Sequence, residues 1–509
     1  MIYFINEYLM AWNSGIEHAE IKRLHMFKDA GIPAKLITRN YDPLTAQNRA
    51  TFGLAADQVL NMFDYFQEAT DIKSPGPNQP KIAALNLAPE YSVMPGADVS
   101  KVYDGDQQIM AVHFAPGTYG QLHQVDYFDA FGKVVQTTLW DFRGFKSRDQ
   151  FYGANGELIS QISYTPTGKP VIHEYFARND QNQTYVSLIE LSDYQNQHLF
   201  FNNYDEMFAF FLAEVARKDG HAIMVADRPG VAYEALLNME YHDVKRFVTL
   251  PTVHTIDMQD PVYANLSGLY NDVIVERGDQ LDGVIVATER QKDDLTMWEG
   301  GVQRLKAPIH AASFAIVPNK QLTKEHVTLA QRTKHKLLVV TRLLADRRTS
   351  DVINAFAKIL NHYPDATLDI YGYGDQFGAL SQQITEMKLN GKVTLKNYVV
   401  DLAPAYDDAQ IYINATDGDA EPLAIAEALS HGLPTAAYDV FYGPQEMITQ
   451  GRNGYLVQRG DINGLARAVE LMMSDDQRWE NMSAAAYQRS RHFSESAVLP
   501  QWEKALGMA

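Results

Sequence analysis

Residues 414–444 read NATDGDAEPLAIAEALSHGLPTAAYDVFYGP, and the reading of this stretch decides the fold. It begins where the hydrophobic run IYIN leaves off, and a second run, Leu433 to Tyr438, follows it. Between the two, the periodicity predicts a helix from Pro422, with Leu423, Ala426 and Leu429 on one face. It stops at His431-Gly432. Pro in the first turn and Gly just past the last are the usual punctuation of a helix. Strand, loop, helix and strand make a βαβ unit, and open α/β sheets bind ligands at such loops. The helix N-terminus, with free N–H groups and the positive dipole end, suits a phosphate. Asp419 and Glu427, with seven residues between them, add two carboxylates, and Glu427 is within reach of a sugar or ribose hydroxyl.

Working outward, the same alternation fills the second half. Lys336 to Thr341, Ala366 to Tyr371 and Val393 to Lys396 read as strands, and Ser350 to His362 as a helix with an apolar stripe. Helices from Asp461 to Met473 and from Ala497 to Leu506 follow. The first half opens the same way, with the strand IYFI, the helix Ile16 to Ala30 and the strand Ala34 to Thr38. Its Asn13-Ser14-Gly15 loop is either a phosphate- or acceptor-touching turn or a plain tight turn. Strands alternating with helices imply parallel, doubly wound sheets, one in each half, facing each other across a cleft.

The alternation is interrupted after the SPGPNQP loop (74–80). From Met94 to Phe201 short strands are separated by the turns Phe131-Gly132-Lys133, Asn155-Gly156-Glu157 and Thr167-Gly168-Lys169. This is the pattern of an antiparallel meander inserted in the first α/β domain. Its aromatics Tyr127, Phe128, Trp140, Tyr152 and Tyr164 either line a partner surface or form the inner face of a sheet.

A chain of 509 residues needs more than one core. Its 44 basic against 63 acidic residues, a net −19, exclude nucleic acid as the main partner. With no cysteine, disulfides, thiolate nucleophiles and Cys-ligated zinc are impossible. The opening MIYFINEYLMAW lacks a basic n-region and a cleavage site, and no apolar run approaches about 18 residues. A cytoplasmic protein, peripheral at the inner face of the membrane, is the expectation.

Arg342 and Arg347 follow the strand KLLVVT, where two cations suit a diphosphate leaving group. Gly372-Tyr373-Gly374 lets backbone approach a ligand. Asp417-Gly418-Asp419 and Asp104-Gly105-Asp106 both spell D-x-D, a motif too short to define a metal site. His254 lies after a strand and before a polar loop, near the expected cleft.

The run EALSHGLPTAAYDVFYGPQEMITQGRNGYLVQRGD resembles the retaining family 4 glycosyltransferases of the GT-B fold. NSGIEHAEIKRLHMFKDAGIPAKLIT, VATERQKDDL and the meander resemble one subgroup, the bacterial poly(glycerol-phosphate) α-glucosyltransferases and surface-adhesin O-GlcNAc transferases. The resemblance implies that Arg342 and Arg347 hold the nucleotide diphosphate and that amides near Ala420, Pro422 and Leu423 meet its phosphate. It implies that Asp419 touches the donor sugar and Glu427 the ribose. Gly15 and Gly374 would border the substrates, and His254 would act in catalysis as the second position of an H-x-x-H-like stretch beginning at Pro251. Three departures stand out: Asp419 for Glu, Arg347 for Lys, and Ala-Glu-Pro for Gly-Phe-Gly.

The expected architecture is therefore GT-B. Residues 1–75 and 202–318 form a Rossmann-like acceptor-side domain, and 76–201 the β insertion. Residues 319–495 bind the nucleotide sugar, and 496–509 form a terminal helix crossing back. The expected donor is UDP-glucose or UDP-GlcNAc, with no metal or other cofactor. The expected acceptor is a teichoic acid or a Ser/Thr-rich surface protein. Self-association, or pairing with a homologous subunit through the β insertion, is the expected assembly. The alternative is an inactive homologue that binds acceptor and stabilises an active partner.

Overall fold

The strand Ile2–Asn6 is buried at every position, as a central parallel strand covered on both faces must be. It lies in a seven-stranded sheet of order Ile309–Ala311, Gly283–Val286, Lys245–Leu250, Ile223–Ala226, Ile2–Asn6, Ala34–Thr38, Val59–Asn61. All of its pairings are parallel. A second parallel sheet, of six strands, runs Val393–Lys396, Thr367–Tyr371, Lys336–Val340, Ile411–Asn414, Thr435–Asp439, Gly454–Gln458. The computed structural model describes residues 1–73, 76–298 and 305–508. Ser74 and Pro75 of the SPGPNQP loop lie outside the described residues.

In each sheet the strand order reverses once, at Ile2–Asn6 beside Ile223–Ala226 and at Lys336–Val340 beside Ile411–Asn414. Such switch points leave a crevice at the strand ends. The first places Asn6, Asp227 and Arg228 together; the second brings Arg342, Asn414 and Asp419 to the lining of one cleft.

Between the first sheet's strands comes an antiparallel sheet of ten strands, from Ser92–Met94 to Gln197–Phe201. Its hairpins turn on glycines such as Gly132 (φ 77) and Gly156 (φ 78), a conformation that disfavours other residues. Val171, Ile172, Ile189, Leu191 and Phe201 from its later strands share a core with Phe63, Phe66, Phe208 and Phe211. The five meander aromatics are half-buried, and Tyr127 and Trp140 pack on the small cluster of Val102, Val112, Leu122 and Val125. The exposed rings of this sheet include Tyr119 and Phe131, between strands, and Tyr175, Tyr185 and Phe200 on its later strands.

The last helix, Glu495–Ala505, is capped by Ser494 and returns to the first sheet. Its Trp502 lies edge-on to Phe4 and donates from Nε1 to the Ser313 carbonyl at 2.9 Å. The Arg23 guanidinium sits over both the Phe4 and Trp502 rings and pairs with the buried Asp227. Residues 312–317, which lead from the first sheet to the second, are buried throughout.

Candidate active site

The two switch points face each other across a cleft of ≈ 870 Å³. Gly15, Arg342, Arg347, Gly374, Asp419, Ala420, Pro422, Leu423 and Glu427 all line it. His254 does not.

The helix Gly15–Asp29 presents its N-terminus to the cleft. Ser14 caps it, and Glu17 reaches back to the Ser14 N–H at 2.7 Å, a reciprocal capping box. A Cβ on Gly15 would meet nothing within 4 Å, so a side chain there would enter the cleft without disturbing the fold.

On the other wall, the helix Leu423–Ser430 starts one residue later than its punctuation predicts, with Pro422 as the N-cap. Pro422 adds no N–H, and the N–H groups of Leu423 and Ala424 have no partner among the described residues. These donors suit an anion. Arg342, exposed at the end of Lys336–Val340, has no hydrogen bond or ion pair among the described residues. Gly372 and Gly374, at φ +149 and +156, hold the neighbouring backbone close. A Cβ on Gly374 would stand 2.2 Å from the Leu343 carbonyl oxygen.

The two acidic candidates are engaged rather than open. Arg347 donates to Asp419 at 2.7 Å and to Thr416 Oγ1 at 3.1 Å, and the other Asp419 oxygen accepts from the Ala420 N–H at 2.9 Å. Asp417 belongs to different cations, Arg459 at 2.7 Å and Arg348 at 3.4 Å, so the D-x-D carboxylates diverge. Among the described residues no group of three or more His, Asp or Glu side chains could hold a metal. Glu427 accepts from the Tyr406 hydroxyl at 2.9 Å and pairs with Lys22, which reaches across from the first helix. Burial works to raise the Glu427 carboxyl, but Lys22 and Tyr406 outweigh it and hold the group below the usual range.

His254 is the correction. Its ring is wholly buried, stacked on Tyr442 at 6.1 Å, with Nε2 2.8 Å from the Pro261 carbonyl. Burial pushes its pKa down to about 4, against smaller opposing effects of Pro261 and Asp294. The cleft is lined instead by Pro251 and Thr252, at the start of the same stretch. The loop after Lys245–Leu250 turns the histidine inward, a direction no spacing in the sequence records.

Other cleft groups were missed. The His18 ring nitrogen lies 3.0 Å from the Tyr398 hydroxyl, and Trp12 lies 5.8 Å from Tyr373 and 6.3 Å from Tyr398. Arg228, held by Asn6 Oδ1 at 2.9 Å and paired with Glu17, also lines the cleft. One signal existed: His18 and Lys22, four residues apart, share a helix face. Their partners, 380 and 405 residues away, had none.

Two facing Rossmann-like sheets with the ligand crevice between them define the GT-B architecture. Residues 321–489 match the family "Glycosyl transferases group 1", and the chain therefore carries a glycosyl transferase group 1 domain. It is 23% identical over 417 residues to a poly(glycerol-phosphate) alpha-glucosyltransferase of Bacillus subtilis, covering 76% of this chain and 57% of that protein. It is also 23% identical over 520 residues to the GtfA subunit of a UDP-N-acetylglucosamine–peptide N-acetylglucosaminyltransferase of Streptococcus gordonii, covering 99% of this chain and 98% of that one. In fold it is similar to the pneumococcal O-GlcNAc transferase GtfA, solved with UDP and GlcNAc, at a TM-score of 0.82 and 20% identity, covering 99% and 98% of the two chains.

Proposed function

We propose that the protein is a retaining glycosyltransferase that moves glucose or GlcNAc from its UDP-sugar to a cell-surface acceptor. The acceptor in this reading is a poly(glycerol-phosphate)-type teichoic acid or a Ser/Thr-rich surface protein; the relatives' names give poly(glycerol-phosphate) and peptide as acceptors. One observation carries the reading. The unpartnered amides of Leu423 and Ala424 and the unpaired Arg342 line one cleft at a switch point, as a nucleoside diphosphate requires.

In this reading the diphosphate lies between those amides and Arg342. Glu427 takes the ribose hydroxyls, and Asp419, steadied by Arg347, faces the sugar. The leaving diphosphate takes the proton of the incoming hydroxyl on the same face as the C–O bond forms and the sugar–phosphate bond breaks. The chain's own part is positioning and charge neutralisation, with no metal required. That suits a cleft whose lining carries no activated nucleophile. Among the described residues no helix is long and apolar enough to cross a membrane. A cytoplasmic site of action, peripheral to the inner membrane face, fits a surface acceptor glycosylated before export.

A second reading has specific support. Asp419 is drawn onto Arg347, the expected catalytic His254 is buried outside the cleft lining, and Pro251 occupies the first position of the H-x-x-H-like stretch. These favour a homologue without turnover that stabilises an active subunit. Titration of UDP-glucose and UDP-GlcNAc into the purified chain, followed by UDP release with acceptor present, separates the two. Saturable binding with turnover lost in Glu427→Ala supports the enzyme. No binding by the isolated chain, with activity only beside a co-expressed homologue, overturns it.

A further inference from the structure

Glu421 occupies the middle of the Ala-Glu-Pro segment and lines the cleft, and its carboxylate is held by the segment that joins the two sheets. One carboxylate oxygen, Oε2, accepts three hydrogen bonds at 2.8 Å, from Ser313 Oγ, the Phe314 N–H and the Ala315 N–H. All three donors belong to the segment joining the two sheets. The same segment is gripped from the opposite side by the last helix. Gln501 Oε1 accepts from the Ser313 N–H at 3.1 Å, and Trp502 Nε1 donates to the Ser313 carbonyl. Ala420 is buried in the cluster of Phe4, Phe314 and Trp502, although it belongs to the second sheet's loop.

We infer that Glu421 is a positioning residue, fastening the loop 419–423 to the linker 313–315 and so setting how the two walls of the cleft stand to each other. The inference deepens the proposed function and rests on its placing the nucleotide at that loop. A loop anchored to the linker keeps the amides of Leu423 and Ala424 in register with the first helix, which supplies the opposite wall. Glu421 is 7% exposed, so breaking the fastening moves a carboxylate from a dry site to water.

Burial pushes the Glu421 carboxyl up to about 7, against the bonds from Ala315, Ser313 and Phe314 that favour its charge. Glu446, on the neighbouring segment, raises it further. The linker and last helix meet this site with the neutral Ser313 and Gln501. A carboxyl raised from its usual 4.5 to about 7 makes the fastening tightest below 4.5 and progressively weaker as pH rises towards 7, then level.

The test is hydrogen exchange of the Phe314 and Ala315 amides in the full chain at pH 5 and pH 7.5, with UDP titrated calorimetrically into the same samples. In the wild type the protection factor of both amides should fall by more than about tenfold between the two pH values. In Glu421→Gln, whose neutral amide keeps the accepting oxygen and matches the protonated acid, protection should be independent of pH and close to the wild type's value at pH 5, and UDP affinity should no longer change between the two pH values. Ser313→Ala, which keeps the carboxylate and removes one donor, should retain the pH dependence with lower protection than the wild type at both pH values. It decides the matter if Glu421→Gln does not fold. Protection and its pH dependence unchanged in Glu421→Gln, or in Ser313→Ala should that alone fold, would overturn the inference. A wild type that binds no UDP but shows the exchange pattern refutes the nucleotide reading and leaves the fastening standing.

Discussion

Asp419 ends one methylene short of a glutamate, and in this cleft that length sets its partner. The carboxylate lies against Arg347 at 2.7 Å instead of projecting to where a sugar would sit. Arg347 is mostly buried, so the pair acts as a unit, and removing one member strands the other. Arg347→Ala is expected to weaken UDP binding by about 1.5–3 kcal/mol, roughly ten- to a hundredfold, in calorimetric titration. Asp419→Glu should change the discrimination between UDP-glucose and UDP-GlcNAc more than the affinity for UDP itself. His254 makes a different prediction. Its pKa falls from 6.5 to about 4 on burial, so the neutral ring stabilises the fold above 6.5 and that contribution is lost as pH falls to about 4. Urea unfolding should show the wild type losing roughly 3 kcal/mol more than His254→Gln between pH 7 and pH 4. UDP affinity at pH 7 should differ little between them.

At the scale of elements, the sequence was most legible where one element's own periodicity determined it. The helix Tyr204–Asp219 shows this, because Asn203 caps it and Gly220 ends it in the left-handed conformation. The helix Leu423–Ser430 was displaced by one residue because Pro422 serves equally well as cap or first residue. The loop direction at His254 and the pairing of Lys22 with Glu427 were not legible, since both depend on what the other sheet brings opposite. Glycines divide in the same way. Gly374→Ala drives a Cβ into the Leu343 carbonyl and should cost at least about 2–3 kcal/mol in denaturant unfolding. Gly15→Ala meets nothing and should stay within about 0.5 kcal/mol of wild type. A loss of UDP affinity in Gly15→Ala would therefore report on the cleft and not on the fold.

Across the whole molecule, three contacts close the cleft from the first helix and the loop before it. They are Lys22 on Glu427, His18 on Tyr398, and Trp12 on the Tyr373–Tyr398 pair. Lys22→Met removes a charged bridge while keeping the stem. Small-angle scattering without nucleotide should show a larger radius of gyration than wild type, with the difference reduced by saturating UDP. The two parallel sheets and the meander were readable because each buries its own apolar pattern. Their mutual placement was not, because it rests on contacts between residues far apart in sequence, such as Lys22 with Glu427 and Ala420 in the cluster of Phe4 and Trp502.

The last helix also carries a consequence for how the molecule comes into being. Trp502, Val498 and Leu506 complete the cluster that begins with Ile2 and Phe4, about 500 residues earlier. A ribosome adding about 5–20 residues per second delivers those side chains only after some tens of seconds. Throughout that time the strand Ile2–Asn6, the ring of Phe4 and the guanidinium of Arg23 wait without their cover. The first sheet is thus begun long before its cover can be completed, and in that interval its uncovered face is what a chaperone would meet.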